Sequence, residues 1–245
     1  MIKYFNSCLT IIFIANTILL NLNSQAIAEQ RQVNNNRGNS NYGLPTHRRD
    51  GGSRGGTDNC LANNDQSLIA LIPQHTIGRN SMQSPQLFFY VPQIPESKTL
   101  EFVLRDEQDK LVYEAFIATE GEGIMNVTIP ADVNANLLKN EQNYHWYLSI
   151  ICNPQQRSRD LVVEGWLRRE KMNIANQKFP LPSVIDQAET YRQQGFWYDA
   201  LGILAQNLNS QTEQPIIRKK WSELLQSVGL GEVASKPFIE STLIK

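Results

Sequence analysis

The string Gly51-Gly52-Ser53-Arg54-Gly55 has the G-x-S-x-G spacing that carries a nucleophilic serine in one class of hydrolases. That chemistry needs a buried strand before the serine and a helix after it, because the sharp turn between them exposes the hydroxyl. Here the polar residues 47–50 precede the serine. The glycines also lack the Gly-Lys-Ser/Thr ending of a phosphate-binding loop. We therefore predict no catalytic residue in this string.

Residues 1–28 have the pattern of a cleaved export signal. Lys3 precedes an apolar run over residues 9–20, and the small residues Ala26 and Ala28 predict cleavage after Ala28. The alternative is an uncleaved membrane anchor formed by the same run. No later apolar run approaches the roughly 20 residues that a membrane span needs. We expect a protein of the periplasm, the extracellular space or the cell envelope, with no stable membrane span after cleavage.

Removal of the signal leaves two cysteines, Cys60 and Cys152. In an oxidising compartment an even pair indicates a disulfide. In the loop-entropy model, a bridge that closes roughly 90 residues disfavours the unfolded chain by about 4 to 5 kcal/mol. A metal site needs three or four convergent ligands, and the chain has only 3 histidines. We therefore predict a structural disulfide with no metal and no cofactor.

The charge balance argues against a nucleic-acid partner. The chain has 23 Lys+Arg and 24 Asp+Glu residues, and this near-neutral balance gives no electrostatic reason to bind nucleic acid.

Residues 29–59 are rich in Asn, Gly and Arg and contain few apolar residues. Such a composition predicts a disordered tail, either a solvated spacer or a weakly basic contact for an acidic surface.

Residues 60–171 have the pattern of a β-sandwich. Short runs of β-branched and aromatic residues recur between turn signals and predict seven strands, at 67–72, 86–91, 99–105, 111–118, 123–129, 143–152 and 160–169. Alternation in the sixth strand directs Tyr144, Trp146 and Cys152 to one face. With Leu138 upstream, Tyr144 fits the tyrosine corner of immunoglobulin-like domains. We predict an immunoglobulin-like antiparallel sandwich, although Cys60 precedes the first strand rather than lying within the sheet.

The period changes after a Pro-containing linker at residues 172–182. Residues 183–245 predict a helical segment with three helices, in which Ser183 caps the first, Pro215 opens the third and Gly229 ends it. The fold class predicted for the whole chain is mainly β plus α, a sandwich followed by a short helical hairpin.

The helical segment contains an internal offset of 34 residues. It aligns Gly195 with Gly229 and Ala200 with Ala234. Residues 191–201 resemble the tetratricopeptide repeat, which has this period and a glycine between two helices. About one and a half copies are present, because Pro237 truncates the second. The alternative is an ordinary helical hairpin with a chance register. So short an array must pack on the sandwich or on a partner.

Three aromatic side chains are candidates for a binding surface. Trp166 lies in the last predicted strand, and Trp197 and Tyr198 begin the second predicted helix. Amphipathic rings are favoured both at protein interfaces and on sugars. The alternative assigns Trp166 to a cushion on which the helical hairpin docks.

Several strings together resemble a family of exported cyanobacterial proteins known as a domain of unknown function. The strings are GGSRG before Cys60, FYVP at 89–92, YHWY at 144–147 running to Cys152, VEGW at 163–166, WYDAL at 197–201 and LLQSVGL at 224–230. The resemblance covers about residues 48 to 235. It implies a cell-envelope location and no established enzymatic activity, and it supplies no catalytic residue.

These observations lead to two functional expectations. The first is a noncatalytic exported cell-envelope protein that presents its sandwich and helical-repeat surfaces to a protein partner. The second is a carbohydrate-binding module that uses exposed rings on cell-wall or extracellular polysaccharide. We expect no nucleic-acid partner, and an enzyme is the third and weakest expectation.

Overall fold

The computed structural model describes residues 47–50, 60–61, 66–94, 98–131, 137–172, 183–208 and 214–244, which all fall in one compact unit. The predicted export signal, the G-x-S-x-G string and almost all of the predicted linker lie outside these residues. Within the described ranges, no helix is long and apolar enough to cross a membrane.

The described residues form nine strands and three α-helices. The strands are β1 (Ile69–Ala70), β2 (Gly78–Asn80), β3 (Gln86–Val91), β4 (Thr99–Asp106), β5 (Leu111–Thr119), β6 (Gly123–Thr128), β7 (Asn143–Ile150), β8 (Leu161–Arg169) and β9 (Ser241–Ile244). The helices are α1 (Val184–Gln193), α2 (Trp197–Asn207) and α3 (Gln214–Gln226). All seven predicted strands are confirmed, with ends that differ by a few residues.

The strands form two sheets, which are followed along the chain by the three helices. A three-stranded sheet has the order β1-β3-β6, and a six-stranded sheet has the order β2-β8-β7-β4-β5-β9. The expectation of an all-antiparallel fold is wrong for one pair, because β2 runs parallel to β8. The other named strand pairs are antiparallel. The fold class is therefore β plus α.

Alternation along β7 builds the core between the sheets. Tyr144, Trp146 and Leu148 are at most 1% exposed. The Trp146 ring meets Phe89 of β3 edge to face, with centroids 5.4 Å apart. Burial of a large apolar side chain contributes about 1.5 to 3 kcal/mol, and a ring pair of this geometry adds about 1 kcal/mol.

Two links hold the start and the end of β7. Cys60 is bonded to Cys152, with Cα atoms 5.1 Å apart, so the bridge joins the chain before β1 to the exit of β7. At the other end the Tyr144 hydroxyl accepts a hydrogen bond of 2.7 Å from the Lys139 backbone N–H. The predicted disulfide is present.

Residues 47–50, which we call the N-terminal segment, are the described part of the predicted disordered tail (residues 29–59), and they pair with the sheet. Arg49 forms an antiparallel bridge with Ile69, and the Ala70 N–H donates to the Arg48 carbonyl at 2.8 Å. The side chains of Arg48 and Asp50 are buried. Partners more than 15 residues away order the segment, and composition cannot reveal such partners.

The predicted helical segment at residues 183–245 also contains a strand, β9, near its end. It adds to the edge of the six-stranded sheet, where Ile244 pairs with Phe116 of β5. Just before it, the Pro237 carbonyl accepts a hydrogen bond of 2.7 Å from the Ile124 N–H in β6. The last described residues therefore contact the edges of both sheets.

The 34-residue offset corresponds to a repeated turn. Gly195 ends the turn after α1 with φ 80°, and Gly229 ends the turn after α3 with φ 73°. In each case the next residue donates to the carbonyl five residues back, at 2.8 and 2.9 Å. This hydrogen bond belongs to a helix-ending motif that needs a left-handed residue, usually glycine. Only the first copy continues into a full helix, because a 3-10 turn at Gly231–Val233 replaces the second.

Candidate functional site

Trp197 and Tyr198 lie in the first turn of α2 and point into the protein. Their exposed fractions are 6% and 2%. The Trp197 indole N–H donates to the Leu71 carbonyl at 2.8 Å. Neither ring offers a surface to a ligand, so the predicted binding surface does not form from these two residues. They attach α2 to the sheets instead.

The Tyr198 hydroxyl links the two strands beneath α2. It accepts a hydrogen bond of 2.9 Å from the Trp146 indole and donates one of 2.9 Å to the Trp166 carbonyl. A Cβ atom at Gly78 would overlap the Tyr198 ring, so this position in β2 needs glycine. Burial raises the pKa of Tyr198 and keeps the hydroxyl protonated. The helices are thus joined to the core by specific hydrogen bonds.

The Trp166 ring lies apart from this junction. It stacks on His145 of the neighbouring strand, with centroids 4.4 Å apart and planes at 7°. The helices therefore contact Trp166 through its backbone carbonyl, which accepts from the Tyr198 hydroxyl, rather than through the ring that was the predicted cushion. Of the three candidate rings, only Trp166 is partly exposed.

A polar cluster next to Trp166 has residue types that could move protons. Glu164 Oε1 lies 3.1 Å from His47 Nδ1, and its Oε2 lies 3.2 Å from His145 Nε2. The Tyr147 hydroxyl is 2.7 Å from His145 Nδ1. Burial lowers the pKa of His145 and favours the neutral ring. Among the described residues, no group of three or more His, Cys, Asp or Glu side chains is arranged to hold a metal ion.

The three helices enclose an open groove of about 300 Å³, which we call the helical groove. This volume reaches the lower end of the range of ligand sites. The groove has an apolar floor and a charged rim. Its lining residues are Ile185, Ala188, Glu189, Arg192, Leu204, Lys220, Glu223, Leu224 and Ser227.

The rim carries one ion pair on each side. On α1, Arg192 donates two hydrogen bonds to Glu189, at 2.9 and 2.6 Å. On α3, Lys220 donates to Glu223 at 2.8 Å. The hydrogen bonds from Arg192, with smaller contributions from Gln193 and from the charge of Lys220 across the groove, lower the pKa of Glu189 to about 2. The rim thus carries both signs of charge around an apolar floor, which suits a segment with one apolar side chain and a polar backbone.

The spacing of charged residues along α1 and α3 indicates the two rim pairs. Glu189 with Arg192 and Lys220 with Glu223 are pairs at spacing i, i+3, which brings side chains together on a helix surface. That spacing predicts each pair. The approach of the two pairs depends on the angle between α1 and α3, which spacing along the chain does not encode.

Comparison with known families supports the coarser part of the resemblance seen in the sequence strings, a domain of unknown function. Residues 49–238 match the family described as Domain of Unknown Function (DUF928). No curated protein and no solved structure matches the chain. The match begins within the N-terminal segment at Arg49 and ends at Phe238, which bridges to Ile124. It therefore covers every named strand except β9 and all three helices, and the chain belongs to the DUF928 family.

Proposed function

We propose that this chain is a noncatalytic exported cell-envelope protein that binds a segment of a partner protein in the helical groove. The observation that carries the proposal is the groove itself, an open concave site with an apolar floor and a rim of paired charges. Apolar grooves commonly bind a partner helix that lays its apolar face into them. The proposed location is supported by the Cys60–Cys152 bridge, because stable disulfides are typical of oxidising compartments.

The proposal includes a finer description of the fold. The Tyr144 hydrogen bond to the upstream backbone and the Trp146 core favour an immunoglobulin-like sandwich. The repeated glycine turns at 195 and 229 favour a tetratricopeptide-like hairpin with one complete copy. In this description the sandwich supports a short helical array that carries the open helical groove.

The alternative function, a carbohydrate-binding module, has less support. Sugar stacking needs exposed rings, whereas Trp197 and Tyr198 are buried. The alternative now depends on Trp166, one face of which is covered by His145. Saturable binding of an envelope polysaccharide that is lost in Trp166→Ala, with the fold intact, would favour it over the protein-partner proposal.

The test of the proposal uses a substitution that fills the groove without disturbing the core. Ser227 is exposed and lines the groove, so Ser227→Tyr obstructs it. Ser227 directly follows α3, and Arg218 is exposed on α3 itself and does not line the groove, so Arg218→Tyr is the matched control. The mature protein is immobilised and exposed to envelope extract. We expect one defined protein to bind wild type and Arg218→Tyr and to be lost from Ser227→Tyr. Equal binding to all three would contradict the proposal.

A further inference from the structure

Strand β9 forms one edge of the six-stranded sheet, and all of its side chains are exposed. The exposed fractions of Leu243 and Ile244 are 61% and 44%. Phe116 in the neighbouring strand β5 is 37% exposed, and Phe238 just before β9 is 43% exposed. Four of the seven large apolar side chains that are exposed among the described residues therefore lie on or beside this edge. Such a concentration of exposed apolar surface marks a site of contact with another molecule.

The backbone of β9 has hydrogen-bonding groups on its open side. The Ile151 N–H donates to the Thr99 carbonyl at 3.0 Å, so Thr99 of β4 directs its backbone groups towards β7. In antiparallel strands this direction alternates from residue to residue. The register across β4 and β5 then places the even-numbered residues of β9 in hydrogen bonds with β5. The N–H and C=O groups of Ser241 and Leu243 point away from the sheet, where no described strand pairs with them.

The edge at β9 also lacks the features that normally prevent pairing. Monomeric proteins block a sheet edge with charged side chains, Pro or a bulge. The residues Ser241–Ile244 include no charge and no Pro, and they pair with β5 in one continuous register. A row of free N–H and C=O groups is complemented by another extended backbone. The occupant that fits this edge is therefore a β-strand.

Self-complementarity identifies that strand as β9 of a second copy of this chain. An antiparallel pair about a two-fold axis at Thr242 places Ser241 of each copy opposite Leu243 of the other, so the free backbone groups of both strands meet. Thr242 then lies opposite itself, which is a favourable cross-strand pair. Glu240 lies opposite Ile244 of the second copy rather than another carboxylate, so no like charges are opposed. Two-fold dimers are also the commonest protein oligomers.

A cavity of about 270 Å³ beside β9 supports a side-by-side contact of two copies. It lies between β6, which is an edge of the three-stranded sheet, and the strands β5 and β9 of the other sheet. Ile117, Val127 and Leu243 give it an apolar lining. Both sheets thus end on this side of the molecule. Pairing through β9 brings Leu243 of the second copy to this side and covers apolar surface that is now exposed.

We propose that two copies of this protein form a dimer by antiparallel pairing of their β9 strands. The pairing joins the two six-stranded sheets into one continuous sheet, and the Ser241 and Leu243 backbones exchange hydrogen bonds across the two-fold axis. No lining residue of the helical groove belongs to β5 or β9. The dimer contact and the groove are therefore separate surfaces.

The first test measures the mass of the mature protein by analytical ultracentrifugation. A short strand pair is a small interface, so the range of concentration extends from roughly 1 μM to 1 mM. We expect the mass of wild type to double as the concentration rises. Leu243→Asp should remain monomeric, because it places a carboxylate in the contact. Ile216→Asp is the matched control, because Ile216 is 55% exposed on α3, and it should dimerise as wild type does.

Three results of this experiment would overturn the proposal. The first is a wild-type protein that stays monomeric over the whole range. The second is a dimer that Leu243→Asp does not weaken. The third is an equal loss of the dimer in Leu243→Asp and Ile216→Asp, because the contact would then not be specific to the β9 edge. Circular dichroism establishes that each variant is folded.

The second test detects the two-fold axis itself. Opposed residues of this kind have Cα atoms about 4.5 Å apart, which lies within the range that a disulfide spans. Thr242→Cys should therefore form a covalent dimer on mild oxidation, visible on a non-reducing gel, because Cys60 and Cys152 are already bonded to each other. Val162→Cys, at an exposed position of β8 in the same sheet, is the control and should stay monomeric. Crosslinking of Thr242→Cys no greater than that of the control would contradict the proposed pairing.

Discussion

The junction between α2 and the sheets predicts a large effect from the loss of a single oxygen atom. Tyr198→Phe removes the hydroxyl that joins Trp146 to the Trp166 carbonyl. Trp146 is 0% exposed, so its indole N–H is left without an acceptor. That orphaned donor costs about 1 to 3 kcal/mol, and the second lost hydrogen bond costs about 1 kcal/mol. We expect the free energy of unfolding to fall by about 2 to 4 kcal/mol.

The assay is urea unfolding of the mature protein, followed by tryptophan fluorescence and checked by thermal melting. For a chain of this size the expected loss lowers the melting temperature by about 4 to 16 °C. Tyr191→Phe is the control, because no hydrogen bond of the Tyr191 hydroxyl occurs among the described residues. Its effect should stay within about 0.5 kcal/mol. If the two variants are equally stable, the hydroxyl does not hold the helices on the sheets and our reasoning about the junction is wrong.

Three further predictions concern the disulfide, the core and the groove rim. Replacing Cys60 and Cys152 by serine should lower the free energy of unfolding, measured in urea, by about 4 to 5 kcal/mol, because the bridge spans 92 residues. In a separate measurement, mature protein that is denatured without reduction should show no thiol that reacts with maleimide. Gly165→Ala should destabilise the protein by about 1 to 3 kcal/mol in urea unfolding, because the added Cβ overlaps a buried indole. The Glu189 carboxyl should titrate at about pH 2 by NMR, and Arg192→Gln should return its pKa towards 4.5.

The sign of the Glu189 effect follows from its lowered folded pKa. Its contribution to stability is fully present above the ordinary pKa of 4.5 and is lost as the pH falls towards about 2. A titration midpoint near 4.5 in wild type would contradict the rim geometry.

Gly202→Ala is the control for the Gly165→Ala prediction, because its Cβ would meet only Gln86 Oε1, at 3.5 Å, and alanine favours a helix. That change should be neutral or stabilising, and a loss equal to that of Gly165→Ala would contradict the packing argument.

The elements predicted correctly from the sequence are those whose pattern is local. Runs of β-branched and aromatic residues between turn signals gave the seven strand predictions, and caps and glycines gave the three helix predictions. Strand β2 was not predicted because Gly78–Asn80 contains no β-branched or aromatic residue. It is held by distant groups: Arg79 pairs with Glu170 at 2.8 Å, and Asp199 of α2 accepts from the Ser81 N–H at 2.9 Å. Such contacts exist only after the chain has folded.

The candidate sites were less predictable for the same physical reason. Composition placed residues 47–50 in a solvated tail, yet Arg48 is buried against the end of α3, 180 residues away. Aromatic side chains at the start of α2 suggested a surface, but the sequence does not say which face of a helix meets a sheet. The groove rim combines two local ion pairs whose approach is set by helix packing.

The most direct test of the central proposal is site-specific photo-crosslinking in the envelope. A photoreactive amino acid replaces Ser227 in the helical groove or, as control, the exposed Arg218 on α3, outside the groove. We predict that the Ser227 probe captures one partner protein and that an excess of unmodified mature protein prevents the capture. Crosslinks at Ser227 that are no stronger or more specific than those at Arg218 would contradict the proposal that the groove binds a partner.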